Sequence, residues 1–172
     1  CNPNNPTGTL TNRQALVSWI LKLPAAAHVI VDEADHDYAA GSLAYASFID
    51  RPVDNERVIV ARTFSTVHGL AGLRVGYAVS GEATVRRLAE RKLPNGVSVI
   101  GAAGALAALD DPEHVKAAVR RTANDRQAFF NHANARMLRW LDSRTNFVLA
   151  DFNRPAADVI AHFAKHDVVI AG

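Results

Sequence analysis

The chain has 172 residues, 49% of them hydrophobic and 21% charged, with a formal net charge of +2. That length can bury a core and that composition is a folded domain's, which excludes a disordered segment. The small charge excludes an electrostatic nucleic-acid surface, and no apolar run approaches the roughly 20 residues of a membrane-crossing helix.

The sole cysteine, Cys1, leaves no disulfide framework and no Cys/His metal spacing, which points to a reducing, cytoplasmic setting. The chain opens on Cys-Asn-Pro-Asn-Asn-Pro without an initiator Met and stops on the apolar run Val168-Val-Ile-Ala-Gly172. Both ends are therefore expected to be cuts in a longer protein. Residues 2–8 read as a turn rich in Asn, Pro and Gly. Thr11 and Gln14 form a capping-box pattern that opens a helix to residue 23, with Leu16, Val17, Ile20 and Leu21 as its apolar stripe and Pro24 as its stop.

His28-Val-Ile-Val-Asp32 is a short β-branched run of the kind that forms a buried parallel strand, and residues 58–61 and 75–79 repeat it. Helical or loop segments separate the three runs. The fold class expected is α/β with a mostly parallel sheet and strand ends gathered on one edge. Helices follow over 82–92 and 99–109. Asp111-Pro112 then starts a long helix running to about residue 141, with Pro112 at its first position. A strand over 146–152, a helix over 155–165 and a strand over 168–171 complete a short α+β piece.

Four features carry chemistry. The turn at 2–8 is by itself only a turn. Asp32 ends an apolar strand, where ligands bind open α/β sheets, though a carboxylate there also caps helices. Thr63 and Ser65 place hydroxyls at the end of the next strand, or cap a turn. Gly69-Leu-Ala-Gly72-Leu-Arg74-Val-Gly76 lacks the Gly-x-Gly-x-x-Gly spacing of a dinucleotide loop and instead fits a flexible turn that returns Arg74 toward a phosphate.

In order and separation, Asn2-Pro-Asn-Asn-Pro-Thr-Gly8, Val31-Asp-Glu-Ala34 and Arg62-Thr-Phe-Ser65, the last running on to Gly69-Leu-Ala-Gly-Leu-Arg-Val-Gly-Tyr77, resemble the fold-type I pyridoxal-phosphate (PLP) aminotransferases. The likeness is to the histidinol-phosphate aminotransferase-like group in particular, and Thr145-Asn-Phe147 is similar to its small-domain strand. The resemblance covers nearly the whole chain. It implies that residues 1–115 are the C-terminal half of a PLP-binding large domain, and 116–172 a linking helix with part of a small domain. It also implies an amino-acid biosynthetic enzyme that moves an amino group from an amino acid or amino-alcohol phosphate to a 2-oxo acid. A homodimer without nucleic-acid or membrane partners is the implied assembly. By the same resemblance, Asn5 would bond the cofactor's phenolic oxygen, Asp32 its protonated pyridine nitrogen, and Thr63 or Ser65, with Arg74, its phosphate.

Two positions depart from the family. Asp35 stands where the resemblance expects a tyrosine, with Tyr38 one turn farther along. Thr66 stands where the family has the lysine that bonds the cofactor covalently and moves the proton. Lys22, Lys92, Lys116 and Lys165 all fall on predicted helices, away from this strand end. The Gly-rich phosphate loop, the ring-stacking aromatic and the substrate-gripping arginine that the family uses are not in the chain. His68 is read as packed or solvent-facing rather than as a base, and His36 between two aspartates as no metal ligand. The readings left open are an aminotransferase by descent, inactive as this chain alone; a decarboxylase of the same group; a non-catalytic or degenerate PLP-binding relative; and a scaffold for dimer contacts.

Overall fold

A computed structural model describes residues 1–54 and 56–171 of the chain. The first helix, α1 (Arg13–Lys22), is capped by Asn12, whose Oδ1 accepts the Gln14 N–H at 2.7 Å. The cap expected at Thr11 moves by one residue because the Thr11 backbone is used elsewhere. Its N–H donates to Asn2 Oδ1 at 2.9 Å, and its carbonyl accepts from Asn2 Nδ2 at 3.3 Å. Ile20 is fully buried, with Leu16 and Val17 beside it, whereas Leu21 turns to solvent.

Strand β1 (Val29–Asp32) pairs in parallel with β2 (Val58–Thr63), Val29 opposite Val58 and Asp32 opposite Ala61. The short helix α2 (His36–Ala39) follows β1. Strand β3 (Gly76–Val79) runs antiparallel to β2, with Thr63 opposite Gly76. The α/β class stands, but the sheet is mixed, in the order β1-β2-β3, rather than mostly parallel. The cause lies in residues 64–75. Tight turns (Gly69 N–H to Thr66 O, 3.0 Å; Leu73 N–H to Leu70 O, 2.9 Å) and a single 3₁₀ turn at Ala71–Leu73 bring the chain straight back, where a parallel return needs a crossover helix. Position 76 must be small, since a Cβ there would sit 2.7 Å from the Arg62 carbonyl oxygen.

Val29, Val31, Val58 and Val60 point to one face of the sheet and pack with Ile20 and Phe48 into the main core. Each such side chain contributes roughly 1.5–3 kcal/mol on burial. The opposite face is open, with Ile30 68% exposed, so β1 is buried on one side and not on both as its apolar run suggests. A second core joins Phe64 and Val75 to Ala105 of α4 (Val99–Leu109). Between β3 and α4 lies α3 (Glu82–Ala89), which ends three residues earlier than expected.

Helix α5 (Pro112–Ala135) starts as expected, with Asp111 Oδ1 accepting the His114 N–H at 3.0 Å, but stops well short of residue 141. Met137 takes a left-handed φ of 54°, and the N–H groups of Leu138 and Met137 close back on Ala133 and Asn134. That pattern is a Schellman ending without a glycine to announce it. The expected strand over 146–152 shrinks to β5 (Ala150–Asp151), paired antiparallel with β4 (Arg139–Trp140). Ser143 Oγ and Thr145 Oγ1 both donate to the Phe147 carbonyl (2.5 and 3.3 Å), so side chains satisfy a backbone group that a ladder would otherwise use. Helix α6 (Ala156–Ala164) follows, and residues 168–171 form no strand. Among the described residues no helix is long and apolar enough to cross a membrane.

The two ends of the chain meet. Gly8, at φ +69°, lies so close to Ser143 that a Cβ would fall 2.1 Å from its Oγ, and the Gly8 carbonyl accepts the Arg144 N–H at 2.7 Å. The opening turn is thereby held against residues 143–147.

Candidate functional site at the sheet edge

The C-terminal ends of the parallel pair β1 and β2 converge on one edge. There Asp32 Oδ1 accepts the Ala34 N–H at 2.9 Å, closing the turn that leaves the strand, and the Asp32 carbonyl accepts the Asn2 N–H at 2.9 Å. Among the described residues Asp32 Oδ2 receives only the long contact from Cys1 Sγ at 3.6 Å and no nitrogen or hydroxyl donor. Asp32 is not the N-cap of α2. Asp35 holds that position, and its side chain makes no capping bond.

Beside Asp32, Glu33 points the other way into the protein and is 1% exposed. Ser47 Oγ and the Phe48 N–H each donate to it at 2.7 Å, and Arg62 Nη2 and Nε reach the same carboxylate at 2.9 and 3.1 Å. Arg62 also donates to Ser47 Oγ at 2.8 Å. His36 Nδ1 lies 3.0 Å from the Tyr45 hydroxyl and 3.9 Å from Glu33. Burial first, then the Arg62 charge, lowers the His36 pKa, while burial and then Glu33 raise that of Tyr45. These groups pin residues 42–50 onto the ends of both strands. Sequence reading missed them; the available signal was a glutamate directly following an apolar strand and an arginine inside the next one.

Asp35 is buried, and its Oδ1 has no hydrogen-bond partner among the described residues. Desolvation, followed by the charges of Asp32 and Asp37, pushes its pKa up. Tyr38 is raised too, by burial and then by Asp35 and Asp37.

From the loop that follows β2, Thr66 Oγ1 donates to the Ala34 carbonyl at 3.0 Å, tying together the segments that leave the two strands. Thr63 Oγ1 accepts the Ser65 N–H at 3.0 Å, the turn-capping role open to it, while the Ser65 hydroxyl has no partner among the described residues. Gly69 (φ +69°) lets the loop fold back, and Arg74, exposed and left-handed at φ 54°, donates to the Ala71 carbonyl at 2.8 Å. Arg74 has no ion-pair partner among the described residues. Asp32, Asp35, Thr63, Ser65 and Thr66 thus share the ends of adjacent strands. Asn5 is exposed on the turn that Asn2 anchors there, and it lines a cavity of ≈ 450 Å³ with Phe147, Phe152 and Arg154.

A separate cavity of ≈ 340 Å³ lies between the strand ends and α5, lined by Glu33, Ala34, Phe64, His68 and Lys116. Lys116 Nζ is held by Glu113 at 2.6 Å and is largely exposed, so it offers no amine at the Thr66 position. The His68 ring packs on Phe64 with centroids 5.0 Å apart, and its Nδ1 is buried without a partner among the described residues. Among the described residues no three or more His, Cys, Asp or Glu side chains gather as a metal site.

Residues 1–170 match the model of the family described as aminotransferase class I and II. A histidinol-phosphate aminotransferase of Bacillus velezensis is 40% identical over 99% of this chain and 47% of its own length. That of Bacillus subtilis strain 168 is 35% identical over the same shares. Among solved structures, histidinol-phosphate aminotransferase from Sinorhizobium meliloti in complex with pyridoxal-5'-phosphate superposes with a TM-score of 0.89 at 33% identity, covering 98% of this chain and 46% of that one. The chain therefore spans about half the length of the curated relatives it matches.

Proposed function

The chain belongs to the class I and II aminotransferases, and from that membership we propose that its sheet edge is one wall of a PLP site that holds the cofactor without a covalent bond. The donor set suits such a group. Among the described residues Asp32 Oδ2 meets only the Cys1 thiol, which leaves it for a protonated ring nitrogen, and the Ser65 hydroxyl and the Arg74 guanidinium, which has no ion-pair partner, suit a phosphate. Asn5, on the turn anchored at Asp32, would reach the ring's phenolic oxygen. When bound, the cofactor supplies an electron sink for chemistry at the α-carbon of an amino acid.

The observation that carries this reading is the convergence of Asp32, Thr63, Ser65 and Thr66 on the ends of one parallel strand pair, which is where open α/β sheets take ligands. Thr66 holds no amine and its hydroxyl is committed to the Ala34 carbonyl, so it neither bonds the cofactor nor serves as the base. The chain by itself is then a non-catalytic cofactor binder. The activity of the longer family architecture is transfer of an amino group from an amino acid or amino-alcohol phosphate to a 2-oxo acid, as in the histidinol-phosphate relatives. Residues 1–115 would form the large-domain part, and 116–172 the linker and small-domain part. A second copy is the partner in this reading, and the exposed apolar residues Val99, Ile100, Leu106 and Leu109 of α4 offer surface for it.

The test is reduction with borohydride after adding pyridoxal phosphate, followed by peptide mapping. The wild-type chain should give no stoichiometric lysyl adduct, and Thr66→Lys should give one at residue 66. A stoichiometric wild-type adduct at any one lysine would overturn the reading.

A further inference from the structure

We propose that Asp35 makes this sheet edge select the amine form of the cofactor, pyridoxamine phosphate, by receiving its ammonium group. This rests on the sheet edge being the cofactor's site.

Asp35 is 7% exposed, and its Oδ1 finds no donor among the described residues. A buried carboxylate oxygen left in this way is costly unless something else meets it. Asp32 and Asp37 interact electrostatically with it, and none of the three is in an ion pair among the described residues. The nearby cation is committed, since Arg62 pairs with Glu33. Thr66 approaches within 3.0 Å of the Ala34 carbonyl, one residue before Asp35, and contributes no positive charge. The site therefore carries acids on one side and a neutral hydroxyl where an amine would have offset them.

A primary ammonium repairs that imbalance. It brings one positive charge and three N–H donors to a buried acceptor that has none. An aldehyde or an alcohol at the same position brings no charge, and the aldehyde, only an acceptor, gives nothing to a carboxylate. Burial and the neighbouring aspartates favour the protonated acid in the free chain, and an arriving cation reverses that balance. No bond is made or broken; the selection is electrostatic.

Equilibrium dialysis of the full chain against pyridoxamine 5'-phosphate and pyridoxine 5'-phosphate tests this. The latter carries a neutral hydroxyl in place of the ammonium and cannot react with the surface lysines. The wild-type chain should hold the amine roughly tenfold more tightly, the size of one charge-assisted hydrogen bond at a buried acceptor. Asp35→Asn should bring the two affinities to within about twofold while leaving that for the alcohol nearly unchanged. Asp35→Ser serves as the second variant, and far-ultraviolet dichroism confirms that each is folded. Equal affinities in the wild-type chain, or a preference that survives Asp35→Asn, would overturn the selection by Asp35 and leave the cofactor site standing. Binding of neither phosphate ester would overturn the site itself, and the selection with it.

Discussion

Glu33 and Asp35 are both buried carboxylates, two residues apart on the same exit from β1, and their surroundings are opposite. Glu33 accepts from Ser47, from the Phe48 backbone and twice from Arg62. Asp35 leaves an oxygen with nothing among the described residues to meet it. Residues 42–50 close over Glu33, whereas Asp35 lies past the strand end as the N-cap of α2 and makes no capping bond. A satisfied buried acid fixes structure, whereas an unsatisfied one is available to a ligand.

Breaking the satisfied side should cost most. Arg62→Ala would leave Glu33 buried without its cation, and urea unfolding should show a loss of about 3–5 kcal/mol. A loss of less than about 1 kcal/mol would mean that the network does not hold the strand ends. Next in size is the link between the chain ends. Gly8→Ala meets both a left-handed backbone and the Ser143 side chain, and thermal unfolding should register about 2–3 kcal/mol of destabilisation.

The unsatisfied side should respond with the opposite sign. Asp35→Asn removes a group whose folded pKa is raised above its ordinary value of 3.8. Such a group favours the folded state fully below its unfolded pKa, and that contribution disappears as pH rises through the folded pKa. At neutral pH the variant should therefore be more stable than wild type by about 1 kcal/mol, with the difference fading toward pH 4. Denaturant midpoints at several pH values measure it; a destabilised variant at neutral pH would contradict the assignment. Arg74→Ala, at an exposed position, should change stability by no more than about 0.5 kcal/mol while weakening binding of the phosphorylated cofactor.

The sequence made the three strands and every helix except the short α2 legible because their apolar spacing and caps are local. The antiparallel direction of β3 was not legible, since a glycine turn over 69–76 does not by itself say which way the next strand runs. Nor was the end of α5, where Met137 takes a conformation usually left to glycine. At the site, Asp32 and Thr66 stood out by position after apolar strands. The Glu33 network did not, because its partners Ser47 and Arg62 arrive from 14 and 29 residues away. Nor did the cavity that Asn5 lines with Phe147 and Phe152, because those residues lie more than a hundred positions farther along the chain.

The most direct measurement is equilibrium dialysis of pyridoxal phosphate against the wild-type chain and Asp32→Asn. The wild-type chain should hold the cofactor reversibly and surrender it on gel filtration, and Asp32→Asn should bind it at least roughly tenfold more weakly, having lost a charge-assisted bond. Equal binding by the two proteins would contradict the account.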